Sequence, residues 1–366
     1  MHGKIMIGSG CVAPVNVTFR RTRRFYRQEC GNLPENLEIV HVRLAGKPLS
    51  YRETRSSPMG GVTHEIRRAL CRTAALHRLP GFERYTPDDK IIGGGISLKI
   101  YIMTDMEGVC GVVSHDEWVT PQGRYYEEGK RLLTMEVNAA IDGFAAAGAT
   151  EIFVADGHGY GGINNLLLDK RALYLRGPEP GPYPFILDET FDAMAWVGQH
   201  AKSGTEFAQM PHTGWFNVLD FRINGISVGE FGQMSLCGAS LGVRSIFGAG
   251  DEAFTKEAAA LVKGIETVSV KRGIMPGSGE QYSTDAYKER YNGAIHMHPN
   301  HACEQIRAGA ERAMRRFAED REQFELLKLQ PPYRLEIKYR SDDKREAHTK
   351  HFEHPDSVIK LLNSSL

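Results

Sequence analysis

The sequence predicts an α/β fold: a mostly parallel sheet flanked by helices, with a metal site at the carboxyl ends of its strands. Two observations carry this. From residue 99 onward, short apolar runs alternate with segments of helical period, the pattern of a parallel sheet covered by crossover helices. Acids and imidazoles stand where three of those runs stop, which is where open α/β sheets bind ligands.

The elements follow in order. Residues 99–104 read as a buried strand that ends at Asp105. Leu133, Val137, Ala140, Ile141 and Phe144 then recur at helical spacing, and Gly148 is a natural stop. Residues 151–155 form a second apolar strand, ending at Asp156-Gly157-His158. A third covers 193–198 and stops before His200, and a fourth covers 243–248, ahead of a helical segment over 252–263.

The rest of the chain differs in kind. Residues 1–98 hold 16 basic and 8 acidic side chains, net +8, so the balance of 45 basic and 45 acidic over 366 residues hides a basic extension. Its Ser/Pro/Gly punctuation and the Gly93-Gly94-Gly95 run set an expected boundary, giving an extension over 1–97 with one strand near 37–44 and a short basic helix over 65–76. The arginines at 20–27 read as a solvated face rather than a nucleic-acid arm, since few aromatics interleave. A catalytic domain is expected over 98–320. Residues 321–366 read as a polar tail, with completion of the domain as its other role. Six scattered cysteines form no metal spacing and point to a reducing compartment. With no apolar run of membrane length and no secretory pattern, the expectation is a cytoplasmic protein with neither nucleic acid nor membrane as partner.

The candidate chemistry lies at the strand ends. Asp105 and Glu107 are two apart, so an extended chain aims both carboxylates to one side, and a divalent cation offsets their repulsion. The plainer reading is one capping and one solvated acid. His158, on a glycine-rich turn, suits a metal better than a phosphate, because no P-loop or dinucleotide pattern surrounds it. Asp156 is expected to accept the second ring N–H of a ligating histidine. His200 and His212 are separated by a loop, and one of them can ligate while the other moves protons. Glu230 sits between glycine-containing turns at a helix start, where it either ligates or answers the helix dipole. His296, His298, His301 and Cys303 look metal-like in composition, but Pro299 marks them as the approach to an amphipathic helix. His348, His351 and His354 read as solvated, and Cys110 and Cys237 lack the partner a nucleophile needs.

Taken together, residues 99–320 resemble the DppA-type zinc D-aminopeptidases. The carriers are Thr-Asp-Met-Glu-Gly-Val at 104–109, Glu-Val-Asn-Ala-Ala at 136–140, Asp-Gly-His-Gly at 156–159, Gly-Gln-His-Ala at 198–201, Pro-His-Thr at 211–213 and Val-Gly-Glu-Phe-Gly at 228–232. The resemblance implies two zinc ions per subunit, with manganese or cobalt as substitutes. It implies Asp105, Glu107, His158, His200 and Glu230 as ligands and His212 as the catalytic imidazole. Asp105 is then the shared carboxylate, Glu107 and His158 complete one site, and His200 and Glu230 the other. A hydroxide held between two metals about 3.5–4 Å apart is then expected to attack the first peptide bond of a short substrate with a D-residue in front. A ring-shaped homo-oligomer is implied as well. Two alternatives stand beside this reading: a dinuclear amidase or phosphate-ester hydrolase, and a non-catalytic metal-binding scaffold. The residues that bind substrate are not legible.

Overall fold

The structure, a computed structural model, describes residues 97–177 and 181–365 in full and, ahead of them, the backbone of four strands. The chain divides into two units, Met1–Tyr85 and Thr86–Leu366. In the first unit, β1 (His2–Ile7), β2 (Cys11–Arg20), β3 (Glu38–Leu44) and β4 (Lys47–Leu49) form an antiparallel sheet in sequential order. The strand expected near 37–44 is β3; the helix expected over 65–76 lies outside the described residues.

The second unit is built on a seven-stranded sheet. In chain order its strands are β5 (Lys99–Thr104), β6 (Glu151–Asp156), β7 (Ala172–Leu175), β8 (Ala193–Gln199), β11 (Arg244–Asp251), β12 (Glu266–Gly273) and β13 (Ala294–His296). In space they run β13-β12-β11-β8-β5-β6-β7, all parallel except β13. After β5 the chain builds outward through β6 and β7, then returns to place β8 on the other side of β5. Such a reversal leaves a crevice at the carboxyl ends of the central strands. Strand β8 is buried at every position and apolar up to Gly198, as a strand covered on both faces must be, with Gln199 as its last residue.

One face of this sheet is covered by two long helices, α2 (Tyr126–Ala146) and α6 (Pro299–Glu319). The stripe Leu133, Val137, Ile141 and Phe144 packs with Ile306, Ala310 and Phe317 over Ile100, Ile102 and Val154. Gly143 allows the helices to close on each other: a Cβ there would meet Arg307 O at 2.3 Å.

The other face is covered partly by helices α3 (Glu230–Ser240) and α4 (Glu252–Leu261) and partly by a second, antiparallel sheet. That sheet has the order β10 (Ile226–Ser227), β9 (Val218–Ile223), β14 (Tyr333–Tyr339), β15 (His348–His354). The segment read as a polar tail therefore completes the domain, with Leu335 and Ile337 buried between exposed charges and Leu361 and Leu362 of helix α7 (Val358–Ser364) buried as well. Its charged residues belong to the outward face of a half-buried strand, which composition alone makes look solvated. No helix among the described residues is long and apolar enough to cross a membrane.

Candidate metal centre

Three adjacent strand ends converge at the crevice. Asp105 and Glu107 follow β5, His158 follows β6, and His200 follows β8. The turns after β5 and β8 interlock: Asp105 N donates to Val197 O at 3.1 Å and Gly108 N to Gly198 O at 2.8 Å. Only glycine fits at this crossing. A Cβ on Gly108 would lie 2.0 Å from Gln199 O, and one on Gly198, whose φ is 78°, would lie 2.1 Å from Asp105 O. His212 arrives from the loop between β8 and β9, and Glu230 from the first residue of α3.

The six side chains meet around Asp105. Its Oδ1 lies 3.2 Å from His158 Nδ1, and its Oδ2 lies 3.1 Å from His200 Nε2. Glu107 Oε2 is 3.3 Å from His158 Nδ1; Glu230 Oε2 is 3.5 Å from His200 Nε2, and its Oε1 is 4.0 Å from His212 Nε2. Donor atoms of Asp105, Glu107 and His200 lie within 4.8 Å of one another, as do those of His200, His212 and Glu230. The His200 and His212 rings stack with centroids 3.9 Å apart and planes 10° apart, and Phe216 stacks on the far side of His212 at 4.6 Å.

Each imidazole is held by a backbone carbonyl. His158 donates Nε2–H to Val119 O at 2.7 Å, His200 donates Nδ1–H to Ala201 O at 2.9 Å, and His212 donates Nδ1–H to Met210 O at 2.8 Å. The remaining nitrogen of each ring is therefore the unprotonated one in the neutral form, and all three face the carboxylates. A lone pair set against carboxylate oxygens is repulsive unless a proton or a metal ion lies between them. Two of the buried atoms here, Glu107 Oε2 and His200 Nε2, make no hydrogen bond. Mixed imidazole and carboxylate donors with unsatisfied atoms at their focus fit a zinc-class cation.

The electrostatics agree. Burial alone would depress His158 and His200, yet Glu107 and Asp105 around the first, and Glu230 and Asp105 around the second, raise both well above the ordinary histidine range. Burial would raise Asp105, but the close approach of the same two histidines holds it well below the usual carboxylate range. His212 differs: burial and the neighbouring His200 lower it, so its neutral form is favoured.

A cleft of about 400 Å³ opens onto this cluster, walled on its apolar side by Met103, Tyr183, Phe185, Trp215 and Met234. A larger surface groove of about 830 Å³ along β9, β14 and β15 contains none of the six residues.

The sequence pattern of the peptidase M55 family, described as D-aminopeptidase, matches residues 98–351. The chain belongs to that family. A D-aminopeptidase of Bacillus subtilis (strain 168) is 34% identical over 182 residues, which span 48% of this chain and 65% of that relative. Among solved structures, the Zn-dependent D-aminopeptidase DppA from Bacillus subtilis, described as a self-compartmentalizing protease, is similar in fold. It has a TM-score of 0.63 and 23% identity, over 73% of this chain and 95% of that one.

One expected role is corrected. Asp156 does not accept a ring N–H from His158, which goes to Val119 instead. Its carboxylate accepts from Gly162 N at 2.9 and 3.0 Å, Ile163 N at 3.2 Å and the Tyr174 hydroxyl at 3.1 Å. It braces the glycine-rich loop of this family member, because the chain turns back over the strand end and brings those N–H groups to the acid. The decoys are also accounted for. His298 Nδ1 accepts from Asn300 N at the start of α6, and His296 Nδ1 accepts from Gly111 N at 3.0 Å. His348, His351 and His354 lie on β15, where His348 stacks on Tyr339. Burial pushes the Cys110 thiol up to about 12, and raises Cys237 too, which disfavours a thiolate nucleophile.

Several supporting residues escaped the sequence reading. Gln199 donates Nε2–H to Asp105 Oδ2 at 3.2 Å. Buried Lys271, at the end of β12, donates to Glu107 O at 2.5 Å and Val112 O at 3.3 Å, closing the turn that carries Glu107. The available signal was a lysine directly after the apolar Val268 to Val270 alternation. Glu136, within the 136–140 motif, accepts from Cys110 N at 2.9 Å on the same turn.

Proposed function

We propose that this protein is a zinc-dependent aminopeptidase that removes the N-terminal residue of short peptides, with D-residues preferred at that end. Family membership supports the reaction class. The observation that carries the reading is the shared design of the three histidines: each ring gives one N–H to a backbone carbonyl and turns its other nitrogen on buried carboxylates, two atoms of which group lack any hydrogen bond.

In this reading Asp105 would help hold two ions, one with His158 and the other with His200. Glu107 completes the first position and Glu230 the second. Bound zinc supplies Lewis acidity toward the scissile carbonyl and toward water. His212, neutral and anchored at Nδ1, offers Nε2 to take up a proton and deliver it to the leaving amine. Glu230 Oε1, fixed by Gly214 N at 2.7 Å, faces that nitrogen and steadies its protonated form. The apolar wall of Tyr183, Phe185 and Met234 excludes water and takes the substrate side chain. Self-association into a ring is proposed on the likeness to a self-compartmentalizing protease.

The test is metal analysis of the full-length chain together with turnover of D-Ala-D-Ala, L-Ala-L-Ala and p-nitrophenyl phosphate. The expected result is about two zinc ions per subunit and cleavage of the D-dipeptide. Activity on the ester alone overturns the peptidase reading, and bound metal without any turnover favours the scaffold.

A further inference from the structure

One stretch of the cleft wall is held from the far end of the chain. Residues 181–187 form a strap that carries Tyr183 and Phe185 into the cleft, their rings set edge to face with centroids 5.5 Å apart. Phe185 and Ile186 have φ of 54° and 57°, left-handed values that side chains disfavour, a β-branched one most of all. Two such residues in a row stay there only where surrounding contacts impose the conformation. Three contacts do so. The Tyr101 hydroxyl donates to Phe185 O at 3.0 Å, the Tyr183 hydroxyl donates to Gln233 Oε1 of α3, and Asn363 of α7 grips the Tyr183 main chain.

The Asn363 contact differs from the other two. Tyr183 N–H donates to Asn363 Oδ1 at 3.1 Å and Asn363 Nδ2–H donates to Tyr183 O at 2.9 Å, so both main-chain polar groups of one wall residue are taken by one amide. The helix that presents it is fixed to the core by buried Val358, Leu361 and Leu362. Asn363 lies 180 residues along the chain from Tyr183, beyond the residues 98–351 that the family pattern covers.

The rest of the wall has separate supports. Trp215 packs edge-on against His115 of the short helix α1 (His115–Trp118), with centroids 5.1 Å apart, and Asp116 beside it pairs with Lys288 of helix α5 (Thr284–Arg290). Met103 belongs to β5 and Met234 to α3. The strap is therefore the part of the wall whose position α7 sets, and it holds two of the aromatic rings that a substrate side chain would meet.

We propose that Asn363 is a positioning residue for substrate specificity: by clamping Tyr183 it fixes how large a side chain the apolar wall admits. This rests on the peptidase reading above. The experiment measures kcat/KM for D-alanyl-D-alanine, D-phenylalanyl-D-alanine and D-alanyl-D-phenylalanine, which place the larger side chain on either side of the scissile bond. It uses the full-length wild-type protein, Asn363→Ala, Asn363→Asp and Lys360→Ala. Alanine is the stronger helix former, and aspartate keeps the size and the acceptor while removing the donor, so α7 persists in both Asn363 variants. Lys360 is exposed on the same helix and serves as the control. In Asn363→Ala, kcat/KM for dialanine falls, mainly through KM, and its ratio to at least one phenylalanine substrate shifts toward the larger side chain by about tenfold, the scale of a small change in an apolar pocket. Asn363→Asp shifts the ratio in the same direction, zinc content is unaltered, and Lys360→Ala matches the wild type. Unchanged ratios in both Asn363 variants, or an equal shift in Lys360→Ala, overturn the assignment while leaving the peptidase reading intact. Turnover of none of the three compounds by zinc-loaded wild-type protein overturns both.

Discussion

His200 and His212 stack face to face at 3.9 Å, yet their environments drive their protonation in opposite directions. His200 is flanked by Glu230 and Asp105 and is raised, whereas burial and the charge of His200 itself lower His212. Two imidazoles in van der Waals contact therefore divide the work, one bound into the carboxylate cluster and the other kept neutral beside it.

That division predicts the outcome of removing His212. His212→Ala abolishes peptide turnover, by about a hundredfold or more, as loss of a general acid does. Zinc stays bound, since Asp105, Glu107, His158, His200 and Glu230 remain. Elemental analysis beside steady-state kinetics checks this; loss of zinc along with activity makes His212 a ligand.

The interlocked turns predict a backbone sensitivity. Gly108→Ala forces a Cβ to within 2.0 Å of Gln199 O, and backbone on both sides must move. The Gly108 N to Gly198 O bond breaks, and Asp105 and Glu107 shift relative to His200. The expected result is a folded protein with at least about tenfold weaker zinc affinity, the scale on which disturbed supporting contacts act. Competition with a chelating dye measures it, and unaltered affinity contradicts the interlock as a determinant of ligand geometry.

Asp156→Ala tests the brace on the glycine-rich loop. Gly162 N, Ile163 N and the Tyr174 hydroxyl lose their common acceptor, two of them in a buried setting. The expected loss is about 2–4 kcal/mol of unfolding free energy, read from urea titration. A loss below about 0.5 kcal/mol, the range of ordinary surface changes, removes the loop-bracing role.

Glu136 predicts a pH dependence. Burial raises its carboxyl to about 8 in the folded protein, against about 4.3 for an unfolded glutamate. The folded state holds that proton more tightly, so the contribution to stability is complete below about pH 4 and is lost as pH rises through about 8. Neighbouring Lys271, lowered by burial to about 8, acts oppositely, but in the range above that value: its contribution is present at high pH and lost as pH falls toward 8. Urea unfolding from about pH 5 to about pH 8 should therefore show wild-type stability declining relative to Glu136→Gln, whose amide does not titrate. Parallel profiles contradict a protonated Glu136.

Much of this architecture is legible in the chain itself. The Leu133 to Phe144 stripe, the apolar run of β8 up to Gly198 and the acids and imidazoles at strand exits are local properties, set by the 3.6-residue helical period and by burial on both faces of a parallel sheet. They are enough to identify the α/β sheet and to single out Asp105, Glu107, His158 and His200, whereas His212 and Glu230 join the set through the resemblance to the D-aminopeptidase family. Other features were decided in three dimensions. Asp156 looks identical in sequence whether it supports a histidine or a loop, and only the path of 157–163 brings Gly162 and Ile163 to it. Strands β14 and β15 look like a polar tail because half of a half-buried strand is charged; the pairing of β14 with β9 and of β15 with β14 selects the other role, completion of the domain. Lys271 came to the site by strand order, which joins it to Glu107 across more than a hundred positions. Sequence spacing encodes the period of an element, whereas the partner of a buried charge is chosen by packing across the whole chain.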